Sequence, residues 1–415
     1  MTQQGVPVHV PLSNAVTLAA LEDALERRPI APHSHLRLQF DLRRSTFIEA
    51  ACLIRLIACT TQIFAEGGSV QFALPANRDV RDFLREWQFP QALREATGMP
   101  FIRLVRESDR EYFGENEKGQ HPSKYAGASI GPGMERLLSE RFFSILTMRP
   151  RFAPSKVTAV MQEAGRWEKG LIAAVLQKHL NGPADYVPSR IIYESLTNAL
   201  RHPNAEIVQT CSHFDDRAKF LTISLWDNGD SIVQTLRRPL SRGDSIRAAV
   251  PDDKHCEFLV KLAITQPPQF ERIRSDYSPT AAVEDHLLLL ASVFPGITRD
   301  PQGAETIANA ALGSHPDLAN PGMGLFILIN AVVDVFGGSI AIRTANLFMN
   351  IKKPLPHDPR PVKYRAKLTS FRHQRQFLGN MLTIRLPLRR HRAKTRKITS
   401  DSTQAISAGE GSGHE

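Results

Sequence analysis

The sequence predicts an α/β protein made of two successive units, on three observations. The first hundred residues alternate strand-like and helix-like segments. The second half places an apolar-striped helix and an apolar helix on either side of an alternating strand. Between the halves, residues 108–135 (SDREYFGENEKGQHPSKYAGASIGPGME) are rich in Gly, Glu, Ser and Lys and read as a linker.

In the first unit, residues 1–107, HLRLQFDL reads as a strand. TFIEAACLIRLIACTTQIFAEGG reads as a helix ended by Gly67-Gly68, SVQFAL as the next strand and NRDVRDFLREWQF as the next helix. Strands alternating with helices imply a βαβ unit. Cys52 and Cys59 lie seven apart in the apolar helix, a core spacing. Residues 134–181 carry helical patterns that lead into the second unit, which spans residues 136–390.

Three segments of the second unit carry chemistry. Residues 189–202 read as a helix with Ser189 as N-cap and Pro203 as its end. Ile192, Leu196, Ala199 and Leu200 form its apolar stripe. Glu194 and Asn198 are four apart, so they share a face about 6 Å apart along the axis. A neutral amide oxygen can ligate Mg²⁺, and a carboxylate beside it can orient or deprotonate a water or hydroxyl. KFLTISLWDNGD alternates along residues 220–226 and breaks at Asp227-Asn228-Gly229, a strand entering a turn. An Asp at a strand end can accept a hydrogen bond from an adenine amino group, and Gly229 lets backbone approach the ring. Finally, Gly322-Met323-Gly324 opens an apolar helix over residues 325–336 that Gly337-Gly338 stops. Backbone N–H groups at such a start favour phosphate. Strands at residues 339–343 and after Gly379 (MLTIRLPL) follow.

YESLTNALRH, LWDNGD and GMGLFILINAVVDVFGG together resemble the N, G1 and G2 boxes of the GHKL superfamily, over residues 155–390. That group includes gyrase B, MutL, heat-shock chaperone ATPases, histidine kinases and anti-sigma-factor serine kinases. The resemblance implies an α/β sandwich with a mixed sheet that binds ATP and Mg²⁺. It implies Glu194 as the catalytic residue, Asn198 as the Mg²⁺ ligand and Asp227 as the adenine reader. Gly229, Gly322 and Gly324 become nucleotide-binding, and Arg201 matches a position often basic near the phosphates. Two positions depart from the pattern. Ser231 stands where the second Gly of D-x-G-x-G is usual, and Asn380 stands where a Thr often follows Gly379 near the adenine; Asn380 keeps the capacity to hydrogen-bond. Residues 231–321 correspond to the ATP lid and contain helical runs such as AVEDHLLLLASVF. The first unit resembles STAS domains, with Glu49-Ala50-Ala51-Cys52-Leu53 at the turn into their helix. Ala50 stands nearest the place of the phosphoacceptor serine.

Other classes are set aside. Gly322-Met323-Gly324 lacks the third glycine of G-x-G-x-x-G, and no G-x-x-x-x-G-K-[ST] occurs. The 14 histidines form no H-E-x-x-H cluster, and the four cysteines show no metal spacing and fit a reducing compartment. No apolar run approaches about 18 residues, so the expectation is a cytoplasmic protein without a membrane span. The net charge of +10 is concentrated: residues 352–397 hold 15 Lys/Arg against Asp358, leaving the rest at −4. Few aromatics and no base-reading motif accompany it, which argues against nucleic acid. Residues 391–415 read as a basic, then disordered tail. His202, at the end of the first site helix, reads as a helix-terminal residue within reach of the site. No H-E/D-x-x-x-P motif with a helix pair speaks for a sensor histidine kinase. The expected function is a Mg-ATP-driven conformational switch. The alternatives are a serine protein kinase of the anti-sigma type and a non-catalytic nucleotide sensor, with a protein partner at the first unit and a homodimer as further expectations.

Overall fold

The computed structural model describes residues 7–27, 36–112, 144–149, 165, 176–215, 219–241, 285–293, 324–353, 364–371 and 376–389. The fold is mixed α/β. In the first unit the order is β1 (Val8–Pro11), β2 (Ala15–Val16), α1 (Leu18–Glu26), β3 (Arg37–Asp41), β4 (Phe47–Ile48), α2 (Ala50–Ala65), β5 (Ser69–Ala73), α3 (Arg78–Glu86), α4 (Phe89–Thr97) and α5 (Phe101–Leu104). A 3₁₀ turn, Glu107–Tyr112, follows. β1, β3 and β5 form a parallel sheet in the order β1-β3-β5, and β2 pairs with β4.

The second unit begins with β6 (Leu146–Met148). A π-helical turn, Val187–Ile192, runs directly into α6 (Tyr193–Arg201). β7 (Val208–Asp215), β8 (Phe220–Asp227), α7 (Ile232–Ser241) and α8 (Asp285–Ala291) come next. α9 (Gly324–Ile329) continues as a π-helical stretch, Asn330–Val335. The chain then supplies β9 (Ser339–Ala345), β10 (Leu347–Lys352), β11 (Arg365–Ser370) and β12 (Phe377–Pro387). β6 to β12 form one seven-stranded sheet in the order β11-β10-β9-β12-β8-β7-β6. The last strand therefore sits in the middle.

α2 holds the two units together. Its residues 50–61 are all buried, as expected for a helix that is apolar on every side. One side meets β5 and another meets β7, β8 and β12. Leu53, Ile54, Leu56 and Ile57 are fully enclosed, each contributing about 1.5–3 kcal/mol of burial. The Thr60 and Thr61 hydroxyls donate to the carbonyls one turn back, Leu56 and Ile57, which satisfies them inside the core. Burial pushes the Cys52 and Cys211 thiols up, and Cys59 is buried beside them. All three are core residues, and Cys52 and Cys211 have little thiolate character.

The larger sheet has two covered faces. Residues paired across strands share a face, so the register sorts them. Cys211 is opposite Ser224, Ser224 opposite Thr383, Thr222 opposite Arg385, and Met381 opposite Arg343. Cys211 Sγ lies 3.7 Å from the Ala50 carbonyl oxygen, which turns this whole set toward α2. The set beginning with Asp227, Asn380 and Thr344 faces the other way. That side is covered by α6 and α9 with its π-helical continuation.

Several elements differ from expectation. The larger sheet was expected to be mixed, but its six described pairings are all antiparallel. β7–β8, β9–β10 and β10–β11 are sequence neighbours that fold back on each other. Ser189 is not an N-cap: its hydroxyl donates to the Asp185 carbonyl at 2.6 Å, and helical backbone starts at Val187 with Pro188 in the first turn. α2 starts at Ala50, not at Thr46, because Phe47 and Ile48 are drawn into pairing with Ala15 and Val16. The helical expectation for residues 134–181 meets a strand at Leu146–Met148, placed by pairing with β7. The linker from residue 113 on, residues 242–284 and 294–321 of the expected lid, Gly322, Cys256 and the tail from 390 lie outside the described residues.

Candidate functional site

The site lies under α6. Helix geometry sets Glu194 and Asn198 on one side, and His202 follows about 6 Å further along the axis. α6 stops there because Pro203 forces the preceding residue out of the helical region; His202 has φ −58° and ψ 135°.

At the inner end, the Glu194 side chain is buried, and the Asn198 amide nitrogen is buried without a hydrogen-bond partner among the described residues. Gly324, the first residue of α9, passes directly over both. A Cβ on Gly324 would lie 2.7 Å from Asn198 Oδ1 and 3.0 Å from Glu194 Oε2. A larger residue there would push the ends of both side chains aside. An unpartnered buried amide nitrogen costs about 1–3 kcal/mol.

At the outer end sits a closed polar network. Asp227 ends β8 and its side chain is 1 % exposed. Its Oδ1 accepts from the Gly229 backbone N–H at 3.1 Å and from Asn380 Nδ2 at 3.2 Å. Its Oδ2 lies 2.8 Å from His202 Nδ1. Asn380 also donates to the Asp230 carbonyl at 2.9 Å, while its Oδ1 accepts from the Ile232 N–H at 2.7 Å and the Thr344 hydroxyl at 2.6 Å. Asn380 thus knots the end of β8, the turn after it and the first residue of α7. It can do so because Gly379 makes the approach: φ is +75°, and a Cβ there would lie 1.7 Å from the Asp227 carbonyl oxygen.

Ser231 gives the turn its exit. The Gln234 N–H donates to Ser231 Oγ at 3.1 Å, and the Ser231 N–H donates to Gln234 Oε1 at 3.1 Å. This is a capping box, S-x-x-Q, and it starts α7 at once. The residue that departs from the D-x-G-x-G pattern is therefore a helix cap. Asn204 and Arg238 both bind Asp230 and brace the same turn.

Of the residues singled out from sequence, Glu194, Asn198 and Gly324 come together at one end, and Asp227, Gly229 and Asn380 at the other. Arg201 is the last residue of α6; its side chain, like Gly322, lies outside the described residues. Thr344 and the contact of His202 with Asp227 were not anticipated. The strand SIAIRTA gives no sign of a site residue, but its alternation puts Thr344 on the face of Ile340 and Ile342. Among the described residues no group of three or more His, Cys, Asp or Glu could hold a metal, and no helix is long and apolar enough to cross a membrane. A single amide with a neighbouring carboxylate still suits Mg²⁺, which keeps several waters and takes few protein ligands. In comparisons with known proteins, no family model, curated protein or solved structure matches the chain.

Proposed function

We propose that the chain is an ATP-binding protein of the GHKL type, working as a Mg-ATP-driven conformational switch. The observation that carries this is the Asn198 amide, buried and unpartnered beside Glu194 and under the bare backbone of Gly324. That combination is poor for stability and well suited to a phosphate and its cation. Asn198 is the residue that would hold Mg²⁺ once its amide turns its oxygen inward. Mg²⁺ supplies charge neutralisation at the phosphate oxygens. Glu194 accepts the proton of the attacking water or hydroxyl. Gly324 leaves room for phosphate at the helix start, Gly322 belongs to the same reading on sequence alone, and Arg201 ends α6 as a further cation. The network of Asp227, Gly229 and Asn380 holds the adenine end.

A serine kinase of the anti-sigma type uses the same groups, with a protein hydroxyl in place of water. The STAS-like first unit favours that neighbourhood and a protein partner. A homodimer and a cytoplasmic location belong to the same reading. A nucleotide sensor that does not turn over is the third form.

The test is phosphate release from Mg-ATP by the full-length protein, with ATP binding measured alongside. Turnover lost in Glu194→Ala with binding kept supports the switch. Binding without turnover in the wild type points to a kinase lacking its substrate or to a sensor. Absence of ATP binding rejects the proposal.

A further inference from the structure

The seven-stranded sheet ends at β11, and among the described residues no strand pairs with its outer side. An edge strand presents a row of backbone N–H and C=O groups to any strand that can approach it. The register shows what flanks this edge. Lys352 is paired to Arg365 on β11 and to Ser339 on β9, and Ser339 is paired to Arg385 on β12. Paired residues share a face, so these side chains form one row across the sheet. Lys367 stands two residues along β11 on the same face, opposite Asn350. Arg385 binds Glu49 of the first unit, and α2 covers this face at β7, β8 and β12. Lys352, Arg365 and Lys367 lie at the far side of that cover. All three are exposed, and none has an ion pair or side-chain hydrogen bond among the described residues. Like charges directly opposite each other destabilise a strand pair, so Lys352 against Arg365 gives the hairpin nothing. The other face of β11 is apolar: Ala366 and Leu368 pack against the core, opposite Ile351 and Met349.

We propose that the β11 edge docks an extended segment of another protein, one in which acidic and apolar residues alternate, and that this segment adds to the sheet as a further strand. Backbone hydrogen bonds supply the pairing, and the period of two sorts the side chains. Acidic residues fall on the face of Arg365, Lys367 and Lys352. Apolar residues extend the row of Ala366 and Leu368. The same cations repel the β11 edge of a second copy of this chain, which keeps the edge from pairing with itself. Nucleic acid fits this surface less well, because no exposed aromatic ring stands beside the three cations among the described residues for bases to stack on. The proposal is independent of the nucleotide reading given above.

The experiment is a binding titration of the full-length protein with a peptide of about eight residues in which Glu and Val alternate. The comparison probes are a peptide of the same composition with all Glu in one block, an alternating Lys-Val peptide, single-stranded DNA and phosphatidylserine vesicles. The alternating acidic peptide is expected to bind about tenfold more tightly than either other peptide. The triple variant Lys352→Glu, Arg365→Glu, Lys367→Glu should lose that preference and take the Lys-Val peptide instead. If its melting temperature shows that it does not fold, the triple variant with Gln at the same positions decides on loss of the acidic peptide alone. Acidic-peptide binding that survives these changes undiminished lies elsewhere on the protein and overturns the proposal. Equal binding of the alternating and block peptides overturns it too, since charge then acts without strand pairing. Tighter binding of DNA or of vesicles makes the surface one for nucleic acid or lipid and rejects the peptide partner. Binding of no probe leaves the cations as a guard on a bare edge, which also rejects it.

Discussion

The two faces of the seven-stranded sheet handle polar residues in opposite ways. The face under α6 is apolar along most of its length, with Leu221, Ile223, Leu225, Ile340, Ile342, Leu382 and Ile384, and its polar groups gather at one end. The face under α2 spreads them across its width: Gln209, Thr222, Ser224, Thr383, Arg385 and Arg343 all lie there. On this second face the charges meet counter-charges from the first unit. Arg55 Nε donates to Glu22 Oε1 at 2.6 Å, Arg343 Nε stands 3.5 Å from the same oxygen, and Arg385 binds Glu49. The Arg343 guanidinium also rests 4.4 Å from the Phe371 ring centre and 5.2 Å from that of Phe377. Burial pushes Arg343 down to about 10 even with Glu22 beside it. The contrast teaches how to read buried polarity. Where it is distributed, its charges pair with another segment of the chain and fix docking, while Ser224 and Thr383 carry buried hydroxyls without a partner among the described residues. Where it is clustered and tied to glycines, as at Asp227 and Asn380 beside Gly379, it shapes one end of the sheet, the end the proposed function uses.

That comparison can be broken by experiment. The largest effect is expected from Glu194→Ala, which lowers phosphate release about 10²–10⁴-fold while the melting temperature barely moves. A matching loss of stability would make Glu194 a docking residue like those on the other face. Next is Glu22→Gln, on the docking face. It leaves Arg55 and Arg343 buried without the carboxylate between them and should cost about 3 kcal/mol in urea denaturation. ATP affinity of the folded protein should stay as it was; a large drop would show that the two faces are coupled. Asn198→Leu should do the reverse. It removes an unpartnered amide, so stability holds or rises by about 1 kcal/mol, while the Mg²⁺ dependence of ATP binding, followed by titration, disappears. The smallest effect serves as a control away from both faces. The side-chain hydrogen bond from Arg43 holds the Asp41 carboxyl well below its usual 3.8. Its folded pKa is depressed, so its contribution is present above pH 3.8 and is lost as the pH falls below that toward the folded value. Asp41→Asn should therefore lower stability near neutrality and flatten this stretch of the acid unfolding curve.

How much of this was legible depends on the range of the interaction that decides each element. β8 was readable to within one residue, because alternation and the Asp-Asn-Gly break are both local. The end of α6 was readable too, since Pro203 acts on its immediate neighbour. The start of α2 was not: Phe47 and Ile48 look helical in context and become a strand only by pairing with residues 32 positions earlier. Leu146–Met148 is a three-residue edge strand with no pattern of its own. In the candidate site, Glu194, Asn198 and Asp227 announce themselves by spacing and by turn chemistry. Thr344 does not, because only the register of β9 against β12 brings it to Asn380. The bond between His202 and Asp227 crosses 25 residues and depends on where a helix ends relative to a strand.

The central place of β12 has a consequence for how the protein is made. α2 is synthesised early, yet the strand that closes the sheet against it comes last, and Glu49 and Arg385 are 336 residues apart. At about 5–20 residues per second, the ribosome needs roughly 20 to 70 seconds to cover that distance. Through the later part of that interval the apolar flank of α2 has β7 and β8 to lie on, but not the central strand that completes the sheet beside them. A chain stopped short of β12 leaves that flank of α2 without the strand at the centre of the sheet it packs on, and β8 without its partner there.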